Sequence, residues 1–182
     1  MHLAELKETI GVPSGVTAAM QGTALALKGP KGELRRIVAS KSVQVSVDGD
    51  TIVLSSKNAT KKEKRLLETN AAHIRNMLRG AKDGHTYKLK ICSGHFPMSV
   101  TLKGDLFEVK NFIGEGVPRQ LRIKPGVKVT IAGVDITVES VDKELAGNQA
   151  AAIELVTRRP GYDTRVFQDG IYITVKDGKK IS

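Results

Sequence analysis

Twice in this chain a run of β-branched residues at alternate positions turns on a glycine and comes back, and each time a helical pattern follows. In the first copy Val43, Val45 and Val47 alternate with Gln44 and Ser46, Asp48-Gly49-Asp50 turns, and Thr51 to Leu54 returns. In the second, Val127, Val129 and Ile131 alternate, Gly133 turns, and Ile136 and Val138 continue. Period-two alternation is the mark of a half-buried strand, and an Asp-Gly turn between two such runs marks a hairpin. After the first hairpin, Thr60-Lys61-Lys62-Glu63 has the form of a capping box. Leu67, Ala71, Ile74 and Leu78 then fall on one face of a helix. After the second, Asp142 caps a helix whose expected stripe is Leu145, Ala152 and Val156, with Ala146 and Ile153 beside them. A helix that follows antiparallel strands covers one face of their sheet. The expectation is therefore an α+β fold of two tandem duplicated domains, each a small antiparallel β-sheet with a helix packed on one face.

Matching the halves sharpens that expectation. Leu27-Lys28-Gly29 placed on Leu102-Lys103-Gly104 gives an offset of 75, and Val45 to Gly49 placed on Val129 to Gly133 gives 84. On this alignment the second copy carries nine extra residues, within or near Asn111 to Pro125. Shorter strand-like runs precede each hairpin: Val16 to Gln21 and Thr23 to Leu27 in the first half, Tyr87 to Ile91, Met98 to Leu102 and Leu106 to Val109 in the second. Gly80 and Gly84 bracket the end of the first helix, which places the boundary near residue 82 and the domains at 1–82 and 83–182. The segment from Arg158 to Gln168 has no counterpart in the first copy and leads into a last strand, Ile171 to Val175.

Composition narrows the classes. An apolar fraction of 40% supports real cores, while aromatics at 4% and no tryptophan leave those cores to Val, Ile, Leu and Ala. No apolar run reaches the roughly 18 residues of a membrane span. MHLAELKETI lacks the pattern of a secretory signal. The single cysteine, Cys92, cannot form an intrachain disulfide, so a reducing compartment is expected.

Catalytic groupings are thin. The histidines are His2, His73, His85 and His95. Cys92 and His95 in ICSGH admit a thiol with its base or half a metal site, but no second ligand pair supplies a metal and no third group is evident to orient the base. A small buried cysteine at a strand end is the plainer reading, and His73 reads as a partly exposed residue on the flank of the first helix. Asp48 and Asp50 are turn chemistry rather than a calcium loop, and Gly29, Gly32 and Gly104 lack phosphate-loop contexts. No catalytic, cofactor or metal site is expected.

The positive signal is basic. Lysine and arginine total 29 against 19 acidic residues, for a net charge of +10. Lys57, Lys61, Lys62, Lys64 and Arg65 crowd the start of the first helix, where cations oppose its dipole. A second group is Arg119, Arg122, Lys124 and Lys128, a third Arg158, Arg159 and Arg165, and a fourth Lys176, Lys179 and Lys180. Charge spread over both halves suits a large folded polyanion, nucleic acid before a membrane surface. The few aromatics do not pair on neighbouring strands as base-stacking platforms do, so backbone contacts to pre-folded, largely double-stranded RNA are expected. Two rivals remain at this point, a small enzyme using Cys92 and His95 on an acidic substrate, and a protein-interaction module whose basic surface is incidental.

Three strings carry a resemblance: ICSGHFPM at 91–98, VKNFIGE at 109–115 and FQDGIY at 167–172. With the duplicated plan and the helix-ending Arg158-Arg159, they resemble the archaeal and eukaryotic branch of the large-subunit ribosomal protein L-six family (universal type), over essentially the whole chain. The stretch RRPGYDTRVFQDG differs from the glycine- and lysine-rich segment of the bacterial branch, and an end at Ser182 resembles archaeal members. The resemblance implies a structural component of the large ribosomal subunit in the cytoplasm. It would bind large-subunit rRNA near the sarcin-ricin loop and the base of the factor-binding stalk, chiefly through the second domain. Implied neighbours are ribosomal proteins at the stalk base and, indirectly, translation factors; no DNA, membrane, cofactor or catalysis is implied. The implied rRNA-binding residues are Lys110, Asn111, Arg119, Arg158, Arg159 and Arg165, with Lys176 from the tail.

Overall fold

The computed structural model describes residues 3–163 and 165–181, with the backbone alone for Leu3 and Ala4; His2 lies outside the described residues. It divides into two compact units, Met1–Gly84 and His85–Ser182. In the first unit, strands β1 (Leu3–Gly11), β2 (Thr17–Gln21), β3 (Ala24–Gly29), β4 (Gly32–Ile37), β5 (Gln44–Asp48) and β6 (Thr51–Ala59) precede helix α1 (Lys61–Lys82). They form two antiparallel sheets, ordered β1-β6-β5 and β2-β3-β4.

The hairpin read from the sequence is the β5–β6 pair, with Val47 opposite Ile52 and Val45 opposite Leu54. Ile52 and Leu54 of one sheet and Leu25 and Leu27 of the other are fully buried, and α1 meets them with Leu67, Ala71, Ile74 and Leu78. Each buried leucine or isoleucine contributes on the order of 2 kcal/mol through area removed from water. The capping box forms: Thr60 Oγ1 accepts from the Lys62 N–H at 3.3 Å, and the Glu63 carboxylate accepts from the Thr60 N–H at 3.0 Å. At the other end of α1 the Ala81 carbonyl accepts from the Lys31 N–H at 3.1 Å, so the β3–β4 turn closes the helix.

The second unit repeats the order with β7 (His85–Cys92), β8 (Ser99–Lys103), β9 (Leu106–Lys110), β10 (Arg119–Arg122), β11 (Val127–Ala132), β12 (Asp135–Ser140) and helix α2 (Lys143–Val156). Its sheets are β8-β9-β10 and β11-β12-β7, the latter extended beyond β7 by β13 (Gly170–Lys176) and β14 (Lys179–Lys180). Element for element, the order β1 to α1 maps onto β7 to α2. Buried His85 approaches Asp177 (Nδ1 to Oδ1, 2.9 Å), and Lys143 sits 3.6 Å from the other oxygen of Asp177, which ties the β13–β14 turn to the starts of β7 and α2.

Three readings shift. The turn at Gly104 is the counterpart of the turn at Gly22, both at positive φ between paired strands, and not of Gly29; the matching Leu-Lys-Gly triplets are coincidental. With Gly22 on Gly104 the offset is 82, so the net excess before Gly133 is 84 − 82 = 2 residues rather than nine, although the β9–β10 connection at 111–118 is itself long where the first unit has only the Pro30-Lys31 turn. The buried face of α2 is Ala146, Gln149, Ala150 and Ile153, with Leu145, Ala152 and Val156 half-buried. Gln149 belongs there because its Oε1 accepts the Lys124 N–H at 3.0 Å, a role that hydropathy does not register.

Candidate nucleic-acid interface

The non-repeated parts of the second unit meet at one place. The 111–118 insertion, the C-terminal end of α2, residues 157–162 with Phe167 and Asp169, and the start of β13 enclose a cleft of about 470 Å³. Phe112, Ile113, Arg158, Arg159, Tyr162 and Tyr172 are among the residues that line it.

The insertion leaves β9 through Asn111, at φ 57°, and holds a short 3-10 turn at Phe112–Gly114. The Asn111 side chain donates from Nδ2 to the Pro97 carbonyl at 3.0 Å, which pins the root of the insertion to the β7–β8 loop. Lys110 beside it is half exposed, 3.4 Å from Glu108.

Arg119 opens β10 and is directed inward. Its Nε and Nη2 donate to the two oxygens of Glu115, each at 2.7 Å. Nη1 donates to the carbonyls of Val156 at 2.7 Å and Arg158 at 3.1 Å, and the guanidinium lies 4.5 Å over the Phe112 ring. The hydrogen bond from Arg119 holds the Glu115 carboxyl below the ordinary carboxylate range despite its partial burial. Arg119 thus does for α2 what the Lys31 N–H does for α1: it satisfies a carbonyl of the helix's last turn. With its planar fork engaged on both sides, Arg119 holds the cleft together and has little left to offer an incoming phosphate.

Arg158 is exposed and lines the cleft. Arg159 is half-buried, 3.6 Å from Glu115 and 4.3 Å over the Tyr162 ring. Arg165 is 88% exposed and grips Asp163 through Nε–Oδ1 at 3.1 Å and Nη2–Oδ2 at 2.8 Å. That hydrogen bonding moves the pair apart in the expected directions, Asp163 below and Arg165 above the ordinary value. Lys176 stands at the far end of β13, six residues beyond Gly170 and so about 20 Å along the strand. The structure gathers Arg158 and Arg159 at the cleft with Arg119 bonded to the carbonyls of Val156 and Arg158, keeps Lys110 and Asn111 at the root of the insertion, and leaves Arg165 on Asp163 and Lys176 apart.

What the sequence reading missed is aromatic and acidic. Tyr162 meets Phe167 edge-on with centroids 5.1 Å apart, and His95 lies 5.3 Å from Phe167. These rings sit on loops rather than on neighbouring strands, so a search for strand pairs passes over them. Asp169, given no role of its own in the sequence reading, is 5% exposed and accepts the N–H groups of His95 at 3.1 Å and Phe96 at 3.2 Å, with the Gly94 N–H on the same carboxylate. Burial opposes its ionisation, yet those three N–H groups hold the carboxyl below the usual range. Cys92 is partly rather than fully buried, and His95 faces Asp169 and Phe167. Among the described residues no group of three or more His, Cys, Asp or Glu side chains is placed to hold a metal ion.

Known proteins resemble the chain over both units. Residues 12–84 and 96–170 match the family model described as Ribosomal protein L6, one segment in each unit. The Large ribosomal subunit protein uL6 of Methanospirillum hungatei is 38% identical over 92% of this chain and 96% of its own length. Its namesake in Aeropyrum pernix is 42% identical over 91% and 92%. The one in Saccharolobus solfataricus is 39% identical over 97% and 98%.

Proposed function

The chain belongs to the ribosomal protein L6 family, whose members are structural rather than catalytic, and on that premise we propose that it anchors large-subunit rRNA through its second unit. The supporting observation is the convergence of Arg158 and Arg159 at the cleft, backed by Arg119, with exposed Arg165 in the same non-repeated segment. Arginine forks at fixed spacing neutralise backbone phosphates, and the rigid α2 end and β13 start fix where those phosphates lie. Lys110 adds charge at the root of the insertion, Asn111 shapes that root, and Lys176 extends the basic surface along β13. The same reading places the protein in the cytoplasmic large subunit, near the sarcin-ricin loop and the base of the factor-binding stalk. There its neighbours are ribosomal proteins, and translation factors dock close by.

The test is a salt titration of binding to deproteinised large-subunit rRNA. Replacing Arg158, Arg159 and Arg165 together with alanine is expected to weaken binding strongly. It should also flatten the dependence of log K on log salt by about 2, since each phosphate contact contributes a slope near 0.7–0.9. An unchanged affinity and slope would overturn the reading.

A further inference from the structure

All three tyrosines and four phenylalanines of the chain lie at or after Tyr87, in the second unit. Four of them, Phe112, Tyr162, Phe167 and Tyr172, line the same 470 Å³ cleft. A fifth, Phe96, is 42% exposed and packs its ring over Gly114 of the insertion. In a chain so poor in aromatics, core packing does not require this concentration: only Tyr87, Phe107 and Phe112 are buried, while Tyr162 and Tyr172 are each 39% exposed. The rings are set among cations, with the Arg159 guanidinium 4.3 Å from the centre of the Tyr162 ring and exposed Arg158 lining the same cleft.

We propose that this cleft receives one unpaired nucleobase of the rRNA, extruded from its helix and stacked against Tyr162 and its neighbours. The proposal rests on the rRNA-binding reading above and adds a mode of contact to it. Three features select a base over the other occupants. The volume lies within the roughly 300–1,000 Å³ of ligand clefts. Glu154 and Asp169 line the cleft along with Arg158 and Arg159, so its lining offers hydrogen-bond acceptors for the N–H groups of a flat ring as well as cations for the phosphates beside it. Arg158 and Arg159 then meet the phosphates on either side of the base, as guanidinium planes and aromatic rings do for splayed nucleotides.

The experiment uses the full chain and deproteinised large-subunit rRNA from Saccharolobus solfataricus. Stacking releases no counterions, so Tyr162→Leu is expected to weaken binding about tenfold with an unchanged salt slope, and Tyr162→Phe to restore it. Ultraviolet irradiation of the wild-type complex should join a nucleobase to a peptide within residues 157–172. The proposal is overturned if Tyr162→Leu binds as tightly as the wild type, or if its affinity and salt slope fall together, which is the signature of a lost phosphate contact. RNA adducts confined to other peptides overturn it as well, as does a crosslink from residues 157–172 to a neighbouring protein in reconstituted subunits. In each of these cases salt-dependent rRNA binding by the wild-type chain leaves the anchoring function standing. Absence of any such binding removes both.

Discussion

A single carboxylate organises the β7–β8 loop. Asp169 reaches out of the non-repeated segment to accept N–H groups from Gly94, His95 and Phe96, and it is almost wholly buried while doing so. Replacing it with alanine strands three N–H donors, and a hydrogen-bonded charge of this kind is worth about 2 kcal/mol. Asp169→Ala should therefore lower the midpoint of denaturant unfolding by a clear margin; an unchanged midpoint would show that the loop finds other partners. The pH dependence follows from the depressed folded-state value. Asp169 stabilises fully above the ordinary aspartate range, and that contribution is lost as pH falls through the folded value. The Asp169→Ala chain should lack this part of the acid sensitivity, which parallel urea titrations from pH 6 downward measure. Nothing in the sequence around Asp169 announces the role, because its partners are 73 to 75 residues away along the chain.

At the scale of elements, what was legible was local. The capping box at Thr60, the apolar stripe of α1 and both Gly-turn hairpins are written in spacings of one to four residues, and they formed as read. Strand β1 was not legible: LAELKETIG is rich in helix formers, and it is extended because it pairs along β6. Strand β4, GELRRI, carries too few apolar residues to announce itself, yet it is held against β3. The face of α2 was misphased because Gln149 is buried for a hydrogen bond rather than for hydropathy. Gly29 shows the same limit. It reads as turn punctuation, but a Cβ there would stand 2.4 Å from the Ala81 carbonyl oxygen and 2.8 Å from its carbon, so the close approach of β3 to α1 requires glycine. Gly29→Ala is expected to destabilise the first unit by about 1–3 kcal/mol, the range for overpacking. Gly22→Ala supplies the contrast, since a Cβ there meets nothing within 4 Å and only the positive φ of 64° opposes it. Thermal melts that rank Gly22→Ala as equally or more damaging would refute the close-approach argument.

Across the whole molecule, charge alone does not say which unit carries the rRNA. Divided at residue 81, the first part holds +6 and the remainder +4, so a purely electrostatic view would favour the first unit. Position is what favours the second unit in the function proposed above. Lys57, Lys61, Lys62 and Lys64 are all exposed, on the end of β6 and the first turn of α1, and the first unit has no phenylalanine, tyrosine or tryptophan to accompany them. Arg158 and Arg159 stand where insertion, helix end and non-repeated segment meet, with Arg119 fixing the carbonyls behind them, and Arg165 is exposed farther along that segment. The two sets separate net charge from placed charge. Changing the four lysines to glutamine lowers the formal charge from +10 to +6, whereas changing the three arginines to alanine lowers it only to +7. If affinity followed net charge, the lysine variant would lose more. Because counterion release counts only the cations that meet phosphates, the arginine variant is expected to show the larger loss of affinity and the larger fall in salt slope. The lysine variant should also melt about 2 °C higher, since cations at a helix N-terminus oppose its dipole. That rise would show that it is folded when its binding is measured. A greater loss of rRNA affinity in the lysine variant would move the interface to the first unit.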